Sequence, residues 1–174
     1  MSLDTHSALN DAVTRINELV PDSRSGLPNE LFYLTSRLTP LINVDLMIAN
    51  EHGQTLLTWR ADQFYGPGWH VPGGIIRFKE EAAQRIHKVA ASELGVEVEA
   101  DASPVAFFEI MNPDRDIRGH FISLVYRCRL LSALNPAQQA SNLDSAEAGQ
   151  WIWVDQMPLN MIRQQKRFEH LFRL

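Results

Sequence analysis

A single cysteine, Cys128, stands in a chain of 174 residues. With no second thiol there is no intrachain disulfide, so stability rests on a buried apolar core, and a chain of this length is expected to build one as a single domain. Cys128 lies in a strand-like run over 121–130, with no local histidine or helix start to favour a thiolate, and reads as a buried structural thiol. Long apolar runs are missing too: none approaches the roughly 20 residues needed to span a bilayer. The first residues include acidic and polar groups and no apolar leader segment, so no secretory signal is expected and the default location is cytoplasmic. Nor is there a surplus of positive charge. Sixteen Lys and Arg face 21 Asp and Glu, a net charge of −5. No basic stripe offers phosphate neutralisation, which argues against nucleic-acid binding. The most basic stretch, Arg163, Lys166, Arg167 and Arg173, reads as the charged face of a C-terminal helix.

What is present is an ordinary globular pattern. Ala8, Val13, Ile16, Leu19 and Val20 recur at helical spacing until Pro21, and a second short helix is expected from Pro28 to near Pro40. Residues 1–40 therefore read as an N-terminal helical extension that packs on the domain or on a second subunit, and 41–174 as the domain itself. Leu41–Ala49 has the composition of a buried strand, and Thr55–Arg60 reads as its hairpin partner across the turn 50–53. Strands are expected over 69–71, 96–99, 105–110, 120–131 and 151–154. Helices are expected over 80–94, ended by Gly95, and 159–172. Strands around one central helix with another helix at the end give an α+β fold, a mixed sheet between helices.

The central helix carries an unusual acid. Ile86, Val89 and Ala90 fall at i, i+3 and i+4, and Glu93 at i+7 on the same stripe, while Glu81, Gln84, Arg85 and Lys88 cluster on the other side. A carboxylate on a core-facing stripe is costly unless it is paired or bound to a cation. This spacing leaves two readings open, a salt bridge to an arginine at the core edge and a divalent-metal ligand.

The surroundings of that helix resemble a Nudix box. Trp69-His-Val-Pro-Gly73-Gly74 leads into it, Glu80 follows Gly74 by six residues, and Glu93 precedes Gly95 by two, with Val96 next. Lys88 stands where that family has arginine, and Val89 and Ser92 where it has two further glutamates. The resemblance favours the metal reading of Glu93. It implies an α/β/α Nudix sandwich in which the Gly73 carbonyl and Glu93 hold Mg²⁺, with Mn²⁺ as the alternative. Glu80 is implied to pair with Lys88 in place of the family's arginine.

The missing glutamates, with Val44-Asp45, Arg60 nine residues before Trp69, His120-Phe-Ile-Ser-Leu-Val-Tyr126 and Glu147 to Trp153, resemble the GDP-mannose mannosyl hydrolase branch. That branch displaces the nucleoside diphosphate from the sugar carbon, and the likeness implies a nucleotide-sugar substrate and a homodimer. Asp45, Arg60 and His120 are then the implied substrate contacts. Two departures alter the expected catalytic set. Ile75 occupies the place of an arginine that assists the leaving diphosphate, with Arg77 nearby on the same loop. Glu147-Ala148 replaces the Gln-His pair that supplies a metal ligand and the general base. Glu147 is the expected substitute in both roles, with Glu109, His120 and His87 as weaker options for the base. Cleavage of the P–O–P bridge, and a catalytically degenerate nucleotide-sugar binder, are the competing readings.

Overall fold

The computed structural model describes residues 3–173. Helix α1 (Leu3–Leu19) and helix α2 (Asn29–Leu38) precede a body of eight strands. The strands are β1 (Leu41–Ile48), β2 (Thr55–Arg60), β3 (Gly68–His70), β4 (Gly73–Ile75), β5 (Val98–Ala100), β6 (Ala106–Met111), β7 (His120–Leu130) and β8 (Trp151–Val154). Helix α3 (Ala82–Val89) lies between β4 and β5.

The strands form two sheets. One is mixed, with β4 antiparallel and β7 parallel to β1, and with β5 and β6 sharing the other edge of β7. The other is the antiparallel set β3-β2-β8. Here the structure corrects the expected hairpin. β1 and β2 join at the turn through one bridge, Ala49 to Thr55, and then part into separate sheets. The alternating residues of β1 explain why. Val44, Leu46 and Ile48 enter one apolar cluster with α3, while Met47 enters a second cluster on the opposite face, so both faces of the strand are covered.

The second cluster includes the C-terminal segment, a 3₁₀ helix over Arg163–Arg173 where an α-helix was expected from the pattern. Burial falls on Gln165, Phe168 and Leu171, every third residue as three residues per turn would place them, with Phe172 buried beside Leu171. Arg163, Lys166 and Arg167 are exposed, the solvated face foreseen for this segment. Burial, with the charge of Asp101 adding to it, pushes the Cys128 thiol up to about 12, as befits a packing residue. Among the described residues no helix is long and apolar enough to cross a membrane. Helix α1 leaves Leu9, Val13 and Leu19 exposed, whereas α2 buries Ser36 and sets Tyr33 edge-on against Phe64 at 5.6 Å.

Candidate active site

A cavity of about 500 Å³ opens along the seam between the two sheets. Its walls come from β1 (Asn43, Asp45), β2 (Thr58, Arg60), β4 (Gly73, Gly74) and the end of the α3 segment (Ser92, Glu93). Of the residues singled out in the sequence, Asp45, Arg60, Gly73 and Glu93 line it.

Gly73 and Gly74 sit in extended β4 and not in a tight turn, and neither has a positive φ. The reason for glycine is space. A Cβ on Gly73 would fall 2.6 Å from Asp45 Oδ1 and 2.8 Å from the Val44 carbonyl, and one on Gly74 would fall 2.7 Å from Val89 Cγ2. The pair lets β4 approach both β1 and α3. It also accounts for Val89, which is core at a position where the resemblance implies glutamate.

Helix α3 begins at a capping box formed by Glu81 and Gln84 and changes at Ala90 to a π turn through Leu94, which Gly95 closes in the left-handed conformation at φ 67°. π turns are rare and concentrate at functional sites. This one carries Glu93. Its carboxylate makes only long contacts: Oε1 accepts from the Gly73 N–H at 3.3 Å, and Oε2 lies 3.5 Å from His70 Nε2. A half-buried carboxylate with so little of its hydrogen-bonding capacity used suits a hard cation that takes most of its ligands from water and phosphate. Among the described residues no group of three or more His, Cys, Asp or Glu is placed to hold a metal by side chains alone.

His70 gave no signal in the sequence beyond its place in Trp-His-Val-Pro. It is buried, and its Nδ1 lies 2.8 Å from the Thr58 carbonyl. A carbonyl only accepts, so Nδ1 donates to it, and Nε2 is the ring nitrogen turned toward Glu93. Asp45 is fully enclosed: Ser123 Oγ and Asn43 Nδ2 (2.8 Å) donate to Oδ2, and Gln165 Nε2 (2.9 Å) donates to Oδ1. Burial pushes its carboxyl up to about 6, against the pull of those hydrogen bonds and of His70, with the charge of Glu93 adding to the rise.

Five other expected residues lie elsewhere. Glu80 has a nearly buried side chain whose oxygens accept from Arg85 Nε (2.7 Å), the Arg77 N–H (2.9 Å) and Lys88 Nζ (2.8 Å). It braces the loop onto α3 and does not line the cavity. Arg77 donates its guanidinium to the Ser25 carbonyl in the N-terminal segment and is spent there. His120 pairs with Glu109 at 3.1 Å outside the cavity. Glu147 is exposed on a loop closed by Gln150, and the cavity is reached by its neighbours Ala148 and Gly149 instead. His87 is exposed on α3.

Burial alone would push the Glu80 carboxyl up, but Lys88, the Arg77 amide and Arg85 outweigh it and bring it down to about 2 from 4.5. A carboxyl lowered in the folded state contributes stability above its unfolded value and loses it as pH falls through the folded one. Glu80→Gln is therefore expected to cost about 3 kcal/mol at pH 7, by leaving Arg85 buried without its charge partner. Urea titrations of the two proteins should converge between about pH 4.5 and 2.

Comparison with known proteins bears on the fold. The profile of the NUDIX domain matches residues 39–172. The low-salt glycan biosynthesis protein Agl8 of Haloferax volcanii is 33% identical over 95 residues, 52% of this chain and 60% of that protein, so the match spans less than two thirds of the relative. Among solved structures, a MutT NUDIX hydrolase from Burkholderia pseudomallei superposes with TM-score 0.56 at 18% identity, over 78% of this chain and 96% of that one. The MutT protein of Methanosarcina mazei Go1 gives 0.58 at 18%, over 77% and 94%. A UDP-X diphosphatase gives 0.56 at 17%, over 98% of this chain and 79% of that one. At these identities the likeness is one of fold.

Proposed function

Because the chain belongs to the Nudix family, we propose that it is a Mg²⁺-dependent hydrolase of a nucleotide-sugar, with GDP-mannose split to GDP and mannose as the favoured reaction. The observation that carries this reading is one cavity with the weakly engaged carboxylate of Glu93 and the guanidinium of Arg60 in its walls. Such a pocket suits a ligand whose diphosphate meets both a cation held by the carboxylate and an arginine. Trp59, Tyr65 and Phe121 add flat apolar surface for a base or sugar face. The glycan-biosynthesis name of the Haloferax relative supports a sugar-linked substrate. On this reading residues 41–174 are the catalytic domain and 1–40 an extension to it.

Glu93 and the Gly73 carbonyl would hold the ion, which when bound neutralises diphosphate charge. Arg60 takes charge on the leaving group. In the hydrolysis, the oxygen of water bonds to the anomeric carbon as the bond from that carbon to the diphosphate oxygen breaks. The electron pair leaves with the nucleoside diphosphate, and the water proton passes to a base. We assign that base to His70, whose ring is held by the Thr58 carbonyl at Nδ1 and whose Nε2 is turned to Glu93 in the cavity, in place of the exposed Glu147. Asp45, gripped by three donors, ties β1 to β7 and to the C-terminal segment around the site.

The test is incubation of the protein with GDP-mannose and Mg²⁺, with products separated by chromatography. GDP and free mannose are expected. GMP with mannose phosphate would transfer the protein to cleavage of the P–O–P bridge, and binding without turnover would make it a nucleotide-sugar binder.

A further inference from the structure

Three guanidinium groups gather on one ring. Measured from the Tyr65 centroid, Arg115 Cζ lies at 4.8 Å, Arg60 Cζ at 5.0 Å and Arg118 Cζ at 5.5 Å. Arg118 also stands 4.8 Å from the Phe64 ring and 5.6 Å from that of Phe32, which belongs to α2. Aromatic faces attract cations, but they do not neutralise them. One carboxylate joins the group. Asp62 pairs with Arg60, and its other oxygen is occupied by the amides of Phe64 (2.7 Å) and Tyr65 (2.8 Å). Among the described residues Arg115 and Arg118 pair with no carboxylate, and Arg115 Nη1 and Arg118 Nε are buried without a hydrogen-bond partner. Crowded cations with unmet donors are costly, and a bound anion recovers that cost.

Arg118 is also held in an uncommon way. Its backbone is left-handed, φ 54°, which favours neither arginine nor any other branched or long residue. Two contacts fix the peptide units that flank it. Its N–H donates to Ser36 Oγ of α2 at 3.1 Å, and its carbonyl accepts from Tyr65 Oη at 2.8 Å. Burial, and then the like charge of Arg60, hold the Arg118 guanidinium below its usual value. Arg118 and Arg60 line the cavity that also holds Asp45, Gly73 and Glu93. On the β4 side the cavity meets Ile75, and Arg77 is committed to Ser25. The second cation of the site is therefore not the one next to the glycine pair.

We propose that Arg118, seated by Ser36 of α2 and flanked by Arg60, forms an anion subsite that receives the diphosphate of the substrate. This rests on the reading of the substrate as diphosphate-linked. It makes the N-terminal extension a working part of the site, because α2 sets the backbone from which Arg118 reaches the cavity.

The subsite is tested by calorimetric titration of the full chain with inorganic pyrophosphate, in metal-free buffer at low salt, so that binding through a metal is excluded. Arg118→Gln is expected to weaken binding about tenfold or more, the usual consequence of losing a charge-assisted donor pair. Arg118→Lys keeps the charge and loses the fork, and a few-fold weakening is expected. Ser36→Ala, which removes the contact from α2 and the hydroxyl's own bond to the Tyr33 carbonyl, is expected to weaken binding a few-fold as well. Thermal unfolding checks that each variant is folded. Should Arg118→Gln not fold, the lysine and Ser36→Ala variants decide the matter. Unchanged affinity in the folded variants, or no pyrophosphate binding by the wild type, overturns the subsite. Equal binding of glucuronate and pyrophosphate would overturn the diphosphate assignment in favour of a carboxylate. Arg118-dependent pyrophosphate binding in a protein that hydrolyses no nucleotide-sugar would leave the subsite standing and remove the proposed reaction. Hydrolysis with an unchanged KM in Arg118→Gln would do the reverse.

Discussion

Glu93→Gln is expected to lower kcat for nucleotide-sugar hydrolysis by about 10²- to 10³-fold, the range for removal of one preorganised electrostatic group. The amide keeps the size of the side chain and can still accept from the Gly73 N–H, so the unfolding midpoint should stay close to that of the wild type. On the proposed reading, what is lost is the negative charge that would hold a hard cation. Steady-state kinetics across a Mg²⁺ titration would check it. The variant should need far more Mg²⁺ and should not recover full activity at saturation. Wild-type activity at ordinary Mg²⁺ would remove Glu93 from the reaction.

The largest loss of stability is expected at Trp69. It is fully buried in the second apolar cluster, and its ring stands edge-on to Trp59 at 5.1 Å. Its Nε1 donates to the Leu143 carbonyl at 2.9 Å, while its backbone bridges to Asn160 (3.0 Å) and Ile162 (2.9 Å). Trp69→Ala removes the ring, opens a cavity and leaves the Leu143 carbonyl to a single partner, the Asn160 side chain. A cost of about 3–5 kcal/mol follows, read as a lower urea midpoint. Because His70 is the next residue, activity should fall beyond the fraction unfolded. A cost below about 1 kcal/mol would mean that the surroundings close over the gap.

The site was legible in the sequence where spacing and chemistry coincided. Glu93, Gly95 and the glycine pair stand at fixed separations, and an acid on an apolar stripe is a signal by itself. The π turn was not legible, because Ile86, Val89 and Ala90 satisfy an α-helical stripe up to the residue at which the winding changes. The glycines were found for their pattern, but their reason, contact with Asp45 and Val89, needs the neighbours in space. Arg77 and Arg118 show the same limit. One is close to the motif in sequence and turned to Ser25; the other is 41 positions further along and reaches the cavity. His70 and Gln165 carried no periodic or motif signal, and their roles follow from burial beside Thr58 and Asp45. All strands of the two sheets except β4 were foreseen. Their division was not, since the residues of β2 suit pairing with β1 as well as with β8.

That division has a mechanical consequence. β1 and β2 diverge like the legs of a pair of calipers from the Ala49–Thr55 bridge, where Asn50 Oδ1 accepts from the amides of His52 (3.0 Å) and Gln54 (2.9 Å). Asp45 lies on one leg and Thr58 and Arg60 on the other, all facing the same gap. The gap between them is kept both by that turn and by the clusters in which the two strands meet again, Leu56 with Val44, Leu46 and Ile48, and Leu57 with Met47, so the width offered to a ligand is fixed by core packing as well as by the turn.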